Sequence, residues 1–137
     1  MIFDFDELNP AAWFDFPNDP GKGRVQVRVC AGEDLERITK ETTHPKVEYK
    51  KHQRFEYEKV DDNQQEKLWD FCIVDWENFF DAKKKPVPCD IKNKVKLMKG
   101  SVIFATFIGD CLEQITNDIQ IQKEVAEKNS KSSPSDS

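Results

Sequence analysis

Asp61-Asp62-Asn63-Gln64-Gln65-Glu66-Lys67-Leu68-Trp69-Asp70-Phe71-Cys72-Ile73-Val74-Asp75-Trp76 is the stretch whose reading decides the fold. Its opening carries two helix-start patterns. Asp61 with Gln64, and Asp62 with Gln65, both have the spacing of a cap and its third helical residue. From Leu68 onward the apolar residues point in nearly every direction around a helical axis. A helix apolar all round is central or covered on two sides. The spacing therefore predicts a helix over 63–76 in the middle of the core, with the other elements arranged around it.

On the N-terminal side, Arg24-Val25-Gln26-Val27-Arg28-Val29-Cys30 alternates strictly. Val25, Val27 and Val29 share one face, the mark of a half-buried strand. Ala11 to Phe16 is a second apolar run, and the loop between them, Pro17 to Gly23, is rich in Pro, Gly, Asn and Asp. The two runs read as an antiparallel hairpin. Gly32 ends the strand, and Glu33 to Thr42 reads as a short amphipathic helix with acids at its start. Thr43-His44-Pro45 stops it. In residues 46–60, Val47 and Tyr49 alternate with charge, as do Phe55 and Tyr57, which fits two short strands or one hairpin; a frayed helix also fits. Residues 1–10 are acidic with a few aromatics and read as a flexible arm.

On the C-terminal side, Pro86 and Pro88 exclude a helix from the link after Trp76. Asp90 is a good cap for a helix over 91–99, with Gly100 suited to follow its end. Ser101 caps the longest helix, expected from Val102 to Glu127. Its apolar stripe runs through Phe104, Phe107, Ile108, Cys111, Ile115 and Ile119. Residues 129–137 are Ser-rich without an apolar residue and read as a disordered tail. The fold class is α+β and mainly helical. An N-terminal β-hairpin packs beside three to four helices, in one domain over 11–128.

Composition narrows the function. A chain of 137 residues buries roughly two-thirds of its unfolded surface, enough for a real core. The net charge of −5 argues against a generally basic nucleic-acid binder. No apolar run has the length of a membrane span, and the acidic start is unlike a signal peptide. These features point to the cytoplasm. Cys30, Cys72, Cys89 and Cys111 form no CxxC pair, and His44 and His52 lack a ligand spacing. No metal or cofactor is expected, and no catalytic residue is assigned. Asp62, Glu66 and Asp70 share a helix face, but one acidic stripe supplies too few converging oxygens for a cation. Gly21-Lys22-Gly23 precedes a strand, whereas a phosphate loop follows one.

Charge is segregated. Residues 61–81 hold seven acids and Lys67; residues 83–99 hold seven lysines and Asp90. The basic stretch reads either as a contact for an acidic partner or nucleic acid, or as a helix face turned to the acidic helix of the same molecule. The second is favoured, since no aromatics interleave the lysines.

The segment Trp76-Glu77-Asn78-Phe79-Phe80-Asp81-Ala82-Lys83-Lys84-Lys85-Pro86-Val87-Pro88-Cys89-Asp90-Ile91-Lys92-Asn93 resembles part of the tail assembly chaperones of long-tailed bacteriophages and prophages. That family has Trp, an acid, Gly, two apolar residues and Asp, then a Gly-Lys turn, Pro-apolar-Pro, and a capped helix leading to Asn. Trp76, Asp81, Pro86, Pro88 and Asn93 match as structural residues of the motif. The likeness extends over about 11–125, through Trp13-Phe14 and Val27-Arg28. Asn78 and Lys84 replace the glycines, which suggests a changed turn at Lys84. Asp90 replaces a capping Thr, and Lys92 replaces the Glu of a capping box.

The resemblance implies a non-enzymatic role: coating the long apolar helix of the tape measure protein and recruiting tail-tube subunits. Neither nucleic acid nor membrane is an expected partner. The family also implies an extended form made by frameshifting, and Glu127-Lys128-Asn129 is compatible with slippery codons. A helical client would be taken by an apolar face. The candidates are Phe104, Phe107, Ile108, Leu112 and Ile115 on the long helix, together with Trp69 from the central helix, while the distal part, Ile119 to Val125, is expected to project and to serve self-association. The competing reading is that this stripe forms the monomer core. A generic phage scaffold protein with a different morphogenetic partner is the alternative function.

Overall fold

The chain, described by a computed structural model over residues 2–6 and 8–131, has five strands and four helices among those residues. Strands β1 (Ala12–Asp15) and β2 (Arg24–Val27) form the expected antiparallel hairpin, pairing Phe14 with Val25 and Ala12 with Val27. Helix α1 (Gly32–Glu41) follows. Strands β3 (Thr43–Lys50) and β4 (Gln53–Val60) are a second hairpin. Helix α2 (Gln64–Cys72) runs directly into β5 (Ile73–Glu77), and α3 (Ile91–Gly100) and α4 (Val102–Lys131) complete the chain. The fold is α+β.

The helix expected over 63–76 is shorter in the structure. It stops at Cys72, and Ile73 to Glu77 pair with β2 to give a three-stranded sheet in the order β1-β2-β5. The cause is a β-bulge. The register slips between Gln26 and Val27, so Ile73 meets Val27 while Trp76 meets Val25. Two inward residues thus stand three apart, which mimics helical spacing; a regular strand would place them two or four apart. The all-round apolar pattern is the sum of a helix and a strand that bury different sides. The capping patterns at Asp61 and Asp62 are not used either. Asn63 occupies the cap without a side-chain bond, and Asp61 Oδ2 lies 3.0 Å from His44 Nε2 at the base of the second hairpin.

The core lies between one face of the sheet and α4. Val25, Val27, Ile73 and Trp76 pack with Phe104, Ile108 and Cys111, while Phe14, Leu97, Met98 and Leu112 close the margins. The other sheet face is polar. Arg24 faces Asp15 and Glu77 across both ladders, lies 3.7 and 3.8 Å from their carboxylates, and its guanidinium sits 4.7 Å above the Trp13 ring.

Residues 46–60 resolve as hairpin. The two-residue turn Lys51-His52 has positive φ at both positions (50° and 64°), the type I′ conformation that matches strand twist. Neither face of this hairpin is covered: Val47, Tyr49, Phe55, Tyr57 and Val60 are all exposed.

Helix α3 has the expected cap, with Asp90 Oδ1 accepting from the Asn93 amide (2.9 Å). Gly100 belongs to the helix itself, and the chain turns on Ser101 in extended conformation. Ser101 Oγ then caps α4 by accepting from the Phe104 amide (3.1 Å). Helix α4 continues to Lys131, so residues 129–131 of the expected disordered tail are helical; 132–137 lie outside the described residues. In the expected N-terminal arm, residues 2–6 and 8–10 are exposed and belong to no helix or strand.

Candidate functional site

The segment from Trp76 to Asn93 is tied to itself. Trp76 is buried, its Nε1–H donates to the Val87 carbonyl (2.7 Å), its ring stacks on Phe79 at 5.0 Å and meets the edge of Phe104 at 6.1 Å. The chain then doubles back. The Val87 amide donates to the Phe79 carbonyl, and Phe80 bridges Pro86. Asp81 closes the turn. Its Oδ1 accepts from the amides of Lys83 (2.8 Å) and Lys85 (3.0 Å), and its backbone exchanges bonds with Lys84 and Lys85. Asn93 Nδ2 returns to the Pro88 carbonyl at 2.9 Å. Pro86 and Pro88 hold the returning limb extended, where no ladder amide is required of them.

Asn78 and Lys84 both have left-handed backbone, with φ of 60° and 62°. At Lys84, lysine holds a conformation that glycine adopts freely, at a cost of about 1–2 kcal/mol. Asn78 is helped by its side chain, which donates to the Lys22 carbonyl (2.9 Å).

The client-face candidates separate. Phe104 and Ile108 are 3% and 1% exposed and belong to the core. Phe107, Leu112 and Ile115 are half-buried along its margin, Phe107 against Phe16 with ring centres 4.5 Å apart. Trp69 is half-buried on α2 and stands apart from that core cluster. Beyond Ile115 the helix emerges. From Thr116 to Lys128 every residue except Ala126 is exposed, with Ile119, Ile121 and Val125 about half accessible.

Phe80, 55% exposed, borders two neighbouring clefts of about 370 and 590 Å³ that share Phe80, Val87, Leu97 and Ser101. Phe80 faces outward because Phe79 beside it faces the core, an alternation that the pair Phe79-Phe80 already carries in the sequence. Val102 and Ile103 at the start of α4 are also exposed; Val102 falls off the 3–4 stripe, whereas Ile103 has the spacing of the stripe, four residues before Phe107, and is exposed all the same.

The opposed charge blocks meet inside the molecule. Lys94 is 6% exposed, and its ammonium donates to Asp70 Oδ1 (2.9 Å) and to the Asp70 carbonyl (3.2 Å). Lys99 pairs with Glu66 at 3.0 Å. Of the expected acidic stripe, Asp62 lies before α2 begins, and Glu66 and Asp70 on α2 are both paired with lysines of α3. Among the described residues, no three His, Cys, Asp or Glu side chains converge to hold a metal ion. Burial pushes the thiols of Cys89 and Cys111 up to about 11 and raises those of Cys30 and Cys72. All four are protonated at neutral pH and poor nucleophiles in that state.

These features define an α+β fold with Asp70, Glu66, Lys94 and Lys99 paired within it, and with accessible apolar side chains on the distal half of α4, at Val102 and Ile103, at Phe80, on the second hairpin and in the N-terminal segment. No helix among the described residues is long and apolar enough to cross a membrane. No protein-family model, curated protein or solved structure matches the chain.

Proposed function

We propose that this chain is a tail assembly chaperone of a long-tailed bacteriophage or prophage, acting without catalysis in the bacterial cytoplasm. Its clients are the tape measure protein and, through that complex, tail-tube subunits. The observation that carries the reading is the emergent half of α4. A helix of 30 residues is about 45 Å long. Its N-terminal half seats Phe104, Ile108 and Cys111 in the core, and its C-terminal half exposes Ile119 in line with that stripe and Ile121 with Val125 on another side. Such a rod suits a long apolar helix laid alongside it. Phe107, Leu112 and Ile115 extend the surface to the root of the rod, while Phe104 and Ile108 act only by supporting it. The left-handed backbone at Asn78 and Lys84 also supports the reading, because the family pattern has glycine at both places.

The test is co-expression with a tape-measure fragment. Soluble yield of the fragment rises with the wild-type chain, and Ile119→Asp with Val125→Asp abolishes the rise while the domain stays folded. An unchanged yield with the wild-type chain refutes the chaperone role.

A further inference from the structure

The β3–β4 hairpin stands apart from the client surface, and its two edges are unlike. A two-residue turn makes Lys50 and Gln53 a hydrogen-bonded pair. Pairing then alternates, so Lys46 and Glu48 direct their backbone groups toward β4, while Pro45, Val47 and Tyr49 direct theirs outward. Pro45 has no N–H, and that edge is blunted by it. On β4 the outward groups belong to Arg54, Glu56 and Glu58. No proline interrupts them, and no strand pairs with them among the described residues. One edge of an otherwise uncovered two-stranded sheet is left open, and such a hairpin is marginal in water until further strands are added.

We propose that the β4 edge pairs antiparallel with the β4 edge of a second copy of this chain, giving a four-stranded sheet β3-β4-β4′-β3′ around a two-fold axis at Phe55. Charge selects the occupant and the register. A two-fold axis normal to the sheet must centre on a residue. Centring on Arg54 sets arginine against arginine. Centring on Glu56 sets glutamate against glutamate, and centring on Tyr57 sets Glu56 against Glu58 twice. Centring on Phe55 alone places each Arg54 opposite the other copy's Glu56, with Phe55 opposite Phe55 and Gln53 opposite Tyr57. Arg54 and Glu56 already lie 2.6 Å apart within one strand, so the pairing closes a ring of alternating charges. Phe55 and Tyr57, both exposed, cluster with their counterparts on one face. Both outer edges of the enlarged sheet carry Pro45, so growth stops at two chains. This inference is independent of the client reading.

The test is sedimentation equilibrium of the full chain over a concentration series. A monomer–dimer equilibrium is expected. Glu56→Pro removes an outward amide and spares the β3–β4 ladder, and it raises the dissociation constant at least about tenfold. Arg54→Glu and Glu56→Arg each weaken the dimer, and the double variant restores it, because the swap preserves the alternating ring. Thermal melting by circular dichroism verifies that each variant is folded. A wild-type chain monomeric at every concentration overturns the proposal, as does a dimer that survives Glu56→Pro or a double variant no better than the singles.

Discussion

The molecule contains two hairpins of similar construction and opposite fate. In β1–β2 the large apolar residues facing α4 are covered, and a third strand, β5, completes the sheet. In β3–β4 the ladder is longer, eight paired positions against four, yet from His44 to Val60 every residue of it is exposed. Its apolar residues fall on both faces, Val47 and Tyr49 on one and Phe55 and Tyr57 on the other, so no single docking surface could bury them all. Hydrogen bonds alone therefore do not decide which hairpin is firm. Burial does, since a net backbone bond contributes about 1 kcal/mol while a buried aromatic contributes several.

The contrast can be broken at its strongest point first. Trp76→Ala removes the side chain that joins β5 to Phe79, Phe104 and the Val87 carbonyl. Denaturant unfolding should show a loss of about 3–5 kcal/mol, with the β1–β2 amides losing exchange protection. Alkaline pH should also act on the covered side. Cys89 and Cys111 titrate near 11 in the fold against about 9 when unfolded, so the unfolded chain binds fewer protons between those values and stability falls as pH rises from 9 to 11. The urea midpoint should decline over that window, and replacing both cysteines with alanine should flatten the decline.

Smaller effects are expected on the bare hairpin. Lys51→Asn with His52→Gly relieves two left-handed non-glycine positions. It should slow exchange of the Glu48 and Phe55 amides by about tenfold, the equivalent of about 1.4 kcal/mol, and leave the global urea midpoint nearly unchanged. Phe55→Ala in the monomer should change global stability by no more than about 0.5 kcal/mol. A loss as large as that of Trp76→Ala would show the hairpin to be part of the core.

Much of this arrangement is legible in the residues. Strict alternation at Val25 and Val27 marks β2, the prolines at 86 and 88 exclude a helix, and Asp90 and Ser101 announce α3 and α4. What misleads is the stretch from Leu68 to Trp76, where a bulge gives a strand the spacing of a helix and no turn residue separates α2 from β5. Residues 46–60 stay ambiguous because each alternating run spans only two apolar residues, and a hairpin with no buried face has nothing to lengthen it. On the candidate surface, the stripe from Phe104 to Ile119 is visible in the sequence. So is the projection of the stretch from Ile119 to Val125, which the structure leaves exposed; the residue at which burial stops, Ile115, is not, because it depends on how far the sheet reaches along the helix. The pairing of Lys94 with Asp70 is hidden for a similar reason: sequence reveals two blocks of opposite charge, and only packing selects the lysine that is enclosed.

Ser101 is the sole residue between α3 and α4, and its hydroxyl is committed to the first turn of the longer helix. A joint one residue long has almost no slack. Neither helix can be lengthened at that end without changing the angle between them, so the direction in which the long helix leaves the sheet is set by the backbone of a single residue.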